Sequence, residues 1–266
     1  MQSSQTRKVI NQEKKAVPLN NLFIFNHEEI ENNRYQITDE LRLQHIHEVL
    51  GSQQGDSVRL CLINRGLGIG KFTLLEDQKI EIELLEESSG QAPWINLVVG
   101  LSRPPTCKKI MEHGTSLGVS EFHFFKAELS EKSYSTAKIF SPSKYHQLLH
   151  LGLSQSGCYY KEPTVALSPG IKFVEKQNFP NKFFLDLEGE HSPLDYDFTM
   201  DQNITLAVGP ERGWTEKERQ YLIDNGFQGI KIADSILRTE IATFAALGQL
   251  HLMRQTQHRR KLSSPL

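Results

Sequence analysis

Long apolar runs are missing from this chain. The longest, "INLVVGL" from Ile95, is far shorter than the ~20 residues a membrane-spanning helix needs. An excess of charge of either sign is missing as well. The 30 lysines and arginines against 32 acidic residues, a formal net charge of -2, exclude a uniformly basic nucleic-acid binder, though a local basic face stays open. Cysteine is scarce. Cys61, Cys107 and Cys158 are odd in number and widely spaced, with no CxxC, so a disulfide framework is excluded and reduced thiols in a cytoplasmic protein are expected. The opening "MQSSQTRKVINQEKK" has no apolar core of the kind a secretory signal carries. Also absent are the dinucleotide GxGxxG, the GxxxxGK[ST] phosphate loop and HExxH. The ten histidines are scattered, His45 and His47 read as ordinary helix residues, and no metal is expected.

What is present is ordinary globular material, 38% hydrophobic and 23% charged, in a length comfortable for two domains. Residues 1–20 are polar, carry Arg7, Lys8, Lys14 and Lys15, and read as a flexible arm. Residues 21–90 read as a small β-barrel. "LFIF", "SVRLCLI", "LGIGKFTLLE" and "KIEIELLE" are short strands with alternating apolar positions, separated by turn signals. One helix, "TDELRLQHIHEVLG", interrupts them, with Thr38 as the expected N-cap and Leu43, Ile46 and Leu50 on its apolar face. Residues 86–93, "EESSGQAP", read as a linker.

From residue 91 onward strand and helix patterns alternate, which predicts an α/β domain with a largely parallel sheet. The strands are "WINLVVGL", "VSEFHFF", "KFFLDL", "ITLAV" and "FQGIKI". Between them fall a helix capped by Thr106, a helix with Ser141 at the cap and Pro142 in its first turn, and a helix opened by the capping box Thr215–Glu218. A last helix, capped by Thr239, is expected through about Arg254, with Ile241, Phe244, Ala245, Gly248 and Leu252 along one side.

Two loops follow strands of this predicted sheet. Gly209-Pro210-Glu211-Arg212-Gly213 follows Val208, and "ADSILR" follows Ile232. Ligands of open α/β sheets sit beyond the carboxyl ends of the strands. Two glycines let the backbone turn and approach a ligand, and Pro210 stiffens the turn between them. An ordinary strand-to-helix turn would use the same residues.

"LAVGPERGWTEKE" followed by "ILRTEIATFAALGQL" resembles the GPEGG…LRTETA signature of the RsmE family, SPOUT-class methyltransferases that act on N3 of a uracil in small-subunit (16S) ribosomal RNA. "LGVSEF", "LSQSG" and the barrel segment "HIHEVLGSQQGDSVRL" extend the resemblance from about Asn21 over nearly the whole chain. It implies a PUA-like barrel that grips RNA, then a SPOUT domain with a C-terminal trefoil knot, and S-adenosylmethionine as cofactor. Carried over by motif, the cofactor loops are Leu185 and Leu187; Val208, Gly209, Pro210, Glu211 and Gly213; and Ile232, Ala233, Ile236 and Leu237. Arg238 of the LRTE motif is expected to stabilise charge on the base. Glu240 either orients it or assists proton removal, or is only an acidic residue at a helix start. Arg34, Arg103 and Arg212 are expected to touch RNA, and the last helix to join two subunits in a homodimer.

The chain departs from the family pattern at Arg212, at Ser154 and Cys158 in place of a charged Glu-Gln-x-x-Arg, at His113 and Ser116, and at Gly51. The expected function is therefore S-adenosylmethionine-dependent rRNA uracil-N3 methylation on a small-subunit particle or its RNA. The alternatives are a catalytically silent RNA-binding or ribosome-assembly protein of this fold, or a methyltransferase for another RNA. The C-terminal Arg254, Arg259, Arg260 and Lys261 would suit a phosphate backbone, or a solvated tail.

Overall fold

Two six-stranded sheets, each with its own apolar core, organise the chain in a computed structural model that describes residues 21–189, 191–196 and 202–263, with side chains through Thr256. Residues 1–20 and the side chains of Arg259, Arg260 and Lys261 lie outside the described residues.

The first sheet is built from β1 (Leu22–Ile24), β2 (Glu29–Glu31), β3 (Arg34–Ile37), β4 (Ser57–Leu62), β5 (Gly66–Leu75) and β6 (Ile80–Ser88), in the order β1-β4-β5-β6-β3-β2. All neighbours are antiparallel except β1 and β4. The alternation in β6 works as the sequence suggests: Ile80, Ile82 and Leu84 are buried, while Glu83 and Leu85 face out. Gly68 and Gly70 let β5 press close to β6, since a Cβ on either would stand 2.6 Å from Leu84 or Ile82. The short β2 and β3 were not foreseen, although Arg34-Tyr35-Gln36-Ile37 alternates, with Tyr35 and Ile37 buried.

Helix α1 (Glu40–Gln44) continues as a π-helical turn, His45–Leu50, closed by Gly51 in the left-handed conformation. Its N-cap is Asp39, whose carboxylate accepts the Arg42 N–H at 3.1 Å, so the expectation of Thr38 is off by one residue. Leu43 and Ile46 are buried as expected, with Leu50 half-buried against the same core. β6 runs on to Ser88, which shortens the expected linker.

The second sheet is β12-β10-β11-β7-β8-β9 and wholly parallel, as the alternating pattern predicts. Its strands are β7 (Ile95–Gly100), β8 (Val119–Phe125), β9 (Thr164–Ser168), β10 (Lys182–Leu185), β11 (Ile204–Val208) and β12 (Gln228–Ile230). β7 and β11 are buried at every residue, which is why they read as unbroken apolar runs. The edge strand β9 is mostly exposed and escaped sequence reading.

The helices of this unit are α2 (Pro104–Ser116), α3 (Pro142–Ser156), α4 (Glu216–Asp224) and α5 (Thr239–Ser263). The Thr215–Glu218 capping box forms as expected, the Thr215 hydroxyl accepting the Glu218 N–H at 3.3 Å and the Glu218 carboxylate accepting the Thr215 N–H at 3.1 Å. Two expected caps move. α2 starts at Pro104 with Arg103 at the N-cap, because proline favours the first turn and Thr106 falls inside it. At α5 the Arg238 carbonyl accepts the Ala242 N–H at 2.8 Å, so Thr239 is the first helical residue. α5 also extends past Arg254.

The two sheets meet at the segment after α3. Cys61, Ile63, Leu153 and Tyr159 form a small apolar cluster with Phe23 and Phe25 against it. The Asn21 N–H donates to Ser154 O at 2.9 Å, the Ser154 hydroxyl donates to Asn21 O, and the Asn64 N–H donates to Tyr160 O at 2.8 Å. Ser154 and Cys158, the departures noted in the sequence, thus lie where the two sheets join.

Candidate functional site

Because β12, β10 and β11 are parallel neighbours, the loops leaving their carboxyl ends gather on one edge of the sheet. They enclose a cavity of ≈ 290 Å³, close to the lower end of the range of small-molecule sites. All eleven residues assigned to a cofactor line it. Leu185 and Leu187 come from the end of β10, Val208 through Glu211 and Gly213 from the loop after β11, and Ile232, Ala233, Ile236 and Leu237 from the segment between β12 and α5. Arg212 lines it too.

The Gly209–Gly213 loop is held by contacts that its sequence requires. Pro210 is buried over the end of β7, where a Cβ on Gly100 would stand 2.6 Å from Pro210 Cδ and 2.8 Å from its nitrogen. The Gly213 N–H donates to Pro210 O at 2.9 Å, closing a turn that places Gly213 at φ +73°, a conformation natural to glycine. Glu211 reaches across to accept the Arg103 N–H at 2.8 Å, tying this loop to the start of α2. Trp214 stacks on Phe125 with ring centroids 6.0 Å apart, and its indole N–H donates to Leu185 O at 2.9 Å. Beyond the loop, Gln249 of α5 donates to Ile232 O at 2.9 Å and fixes the third wall.

Two lining residues carry chemistry that the sequence did not reveal. Asp186 is buried, its carboxylate accepting from Arg219 Nε at 2.9 Å and from the Glu188 N–H at 3.1 Å. That hydrogen bond raises the Arg219 guanidinium above its ordinary range. Glycine at position 229 leaves the room it needs, since a Cβ there would stand 3.0 Å from Asp186 Oδ2. Asp186 lay between two expected cofactor residues, but a lone Asp at a strand end gives no signal of burial.

The residues expected to act on RNA are distributed differently. Arg238 is exposed at the start of α5, next to the lining residues Leu237 and Thr239, and its guanidinium makes no hydrogen bond or ion pair among the described residues. Glu240 does not line the cavity; it is buried with Lys109 Nζ 3.4 Å away, an ion pair joining α5 to α2. Arg103 and Arg212 are exposed on the loops after β7 and β11. Arg34 stands apart on the first sheet, its guanidinium 3.0 Å from Glu81 and 3.4 Å from Glu31. Arg254, read with the basic tail, lies over the Trp94 ring at 4.3 Å, and burial lowers its pKa.

Burial pushes the thiols of Cys61 and Cys107 up to about 12, which removes them as nucleophiles. Three other side chains that the sequence left scattered are brought together: His146, His150 and Glu162, with ligand atoms within 4.8 Å of one another.

Comparison with known proteins places these features in context. Residues 90–251 match the model of an RNA methyltransferase domain. The "Ribosomal RNA small subunit methyltransferase E 1" of Borreliella burgdorferi is 28% identical over 78% of this chain and 88% of its own length. The "Ribosomal RNA small subunit methyltransferase E" of Treponema pallidum is 29% identical over 77% of this chain and 80% of its own. Among solved structures, a ribosomal RNA small subunit methyltransferase E from Neisseria gonorrhoeae bound to S-adenosyl methionine superposes with a TM-score of 0.74. The match covers 88% of this chain and 97% of that one at 22% identity, a likeness of fold.

Proposed function

The chain belongs to the RNA methyltransferase domain family, and from that premise we infer that it methylates N3 of a uracil in small-subunit ribosomal RNA with S-adenosylmethionine. One observation carries the reading. The three loops assigned to the cofactor, far apart in sequence, line one cavity at the carboxyl edge of the parallel sheet. The cavity suits the proposed cofactor: apolar Leu185, Val208, Ile232 and Leu237 offer a surface for an adenine ring. Asp186 offers a buried acceptor for a hydroxyl or an ammonium group. When bound, S-adenosylmethionine supplies an electrophilic methyl group on a sulfonium. The trefoil knot belongs to the same reading.

Uracil N3 becomes a nucleophile only as its proton leaves, and negative charge then spreads to the flanking carbonyl oxygens. Arg238, exposed at the cavity's edge with no carboxylate holding it, is placed to meet that charge. Glu240, buried against Lys109, acts instead as a positioning residue that fixes the first turn of α5. Arg103 and Arg212 stand on loops joined by the Glu211 hydrogen bond and extend a basic rim for RNA. The first sheet contributes less cationic surface. Between Asn21 and Gly90 there are thirteen acidic and six basic residues, and Arg34, Arg42, Arg65 and Lys79 are all paired with carboxylates. Ile241, Gly248 and Leu252 are exposed along one face of α5, which supports its use as the homodimer interface. A cytoplasmic site of action follows from a ribosomal substrate.

The test is transfer from labelled S-adenosylmethionine to unmethylated small ribosomal subunits, alongside Arg238→Ala. Label on uracil N3 that drops by about 10²-fold or more in the variant is the expected result. Absence of transfer, with cofactor binding retained, would move the activity to another RNA.

A further inference from the structure

A second site lies outside the cofactor cavity, on the face of α3 turned toward Phe23, Phe25 and the segment leading to β9. His146 and His150 are one helical turn apart and project from the same face of α3. Glu162 reaches both: its Oε1 is 2.6 Å from His146 Nδ1 and 2.7 Å from His150 Nε2. We propose that these three side chains form a binding site for a divalent transition-metal ion, zinc by its chemistry.

Four observations support the assignment. The donor set, two imidazole nitrogens and one carboxylate oxygen, is a zinc combination that leaves a fourth position for water. The separations are close to what an ion requires. Ligand atoms at ~2.0–2.1 Å from a tetrahedral zinc lie roughly 3.3 Å apart, so the two carboxylate–imidazole separations of 2.6 and 2.7 Å need open by only about 0.6–0.7 Å. His150 Nε2 is buried and, although 2.7 Å from Glu162 Oε1, has no aligned hydrogen-bond partner among the described residues. A nitrogen left in that state is costly without an ion or a proton arrangement to satisfy it. The surroundings hold the set in place: the Glu162 N–H donates to Asn64 Oδ1 at 2.9 Å, and Phe23 and Phe25 pack on the His150 ring at centroid distances of 5.3 and 5.0 Å. Ordered partners and an apolar shell of this kind orient ligands before the metal arrives. The His146 side chain is 45% exposed and provides the way in.

Asn64, Phe23 and Phe25 belong to the first sheet and its loops, whereas α3 belongs to the second. A bound ion would therefore brace the junction between the two sheets and stabilise the folded state by mass action.

The experiment uses the full chain after chelator treatment. Zinc is measured by equilibrium dialysis with elemental analysis, and cobalt(II) is titrated while its visible ligand-field bands are followed. One equivalent per chain, cobalt bands typical of a tetrahedral site, and a rise in Tm with zinc are expected. All three should be lost in His146→Ala, at a half-buried position, and in Glu162→Gln. No stoichiometric binding by the wild-type chain would overturn the proposal, as would binding that His146→Ala leaves unchanged.

Discussion

The Trp214 indole N–H donates to the Leu185 carbonyl oxygen at 2.9 Å, so one side chain on the loop after β11 fastens the end of β10. Two of the three walls of the cavity are thereby set relative to each other. Trp214→Phe keeps the stack on Phe125 but removes the donor and strands a half-buried carbonyl. A net loss of about 1 kcal/mol is expected, seen as a roughly fivefold weaker affinity for S-adenosylmethionine in calorimetric titration. Unchanged affinity would show that the walls are fixed without this bond.

Gly100→Ala tests the other support of the same loop. The added Cβ would meet Pro210 at 2.6 Å, and the contacts are ring carbon and backbone nitrogen rather than a flexible side-chain tip. The loop must shift, at a cost on the order of 1–3 kcal/mol as for other overpacked sites. A lower Tm together with cofactor affinity reduced about tenfold or more is expected. The first sheet, remote from this contact, should keep its structure.

The cysteines give a pH dependence with a definite sign. Burial favours the neutral thiols of Cys61 and Cys107 and raises both to about 12. The unfolded chain releases those protons near its ordinary thiol range, ~8.5. Their contribution to stability is complete below that range and declines as pH climbs from it toward 12. Urea midpoints should therefore fall between pH 8 and pH 10, and fall less steeply in Cys61→Ala. In the native protein at pH 8, Cys158, half-buried and raised less far, should react first with a thiol reagent.

Much of this architecture was legible in the residues. The runs of β7 and β11, the alternation of β6 and the Thr215 capping box each state a local preference that the fold satisfies. The misplaced caps have separate causes: beside Thr38 the Asp39 carboxylate takes the free Arg42 N–H, whereas Thr106 falls inside a helix that Pro104 starts with no side-chain cap. The cavity was legible through the resemblance of its loops, not through periodicity. Asp186 was not, because burial of a single carboxylate depends on Arg219 and Gly229, which arrive from α4 and β12. His146, His150 and Glu162 escaped for the same reason. HxxxH is common on exposed helices, and only the fold adds the carboxylate. The barrel's expected grip on RNA also changes once Arg34 is seen held by Glu81 and Glu31.

Glu240 and Lys109 decide between a catalytic carboxylate and a positioning one. Glu240 is buried and Lys109 is more than half exposed, with 3.4 Å between their charged atoms. A positioning role predicts that Glu240→Gln and Lys109→Ala each lower methyl transfer modestly and that the double variant is no worse than the poorer single, since both remove one contact. The loss should appear with S-adenosylmethionine affinity little changed, and the pH profile of transfer should keep its shape. A general base predicts otherwise. Glu240→Gln alone would then cost ~10²–10⁴-fold, Lys109→Ala far less, and the acid limb of the profile would vanish with the carboxylate. Rates for the four proteins across pH separate the two roles, and the ion pair with Lys109 favours the first.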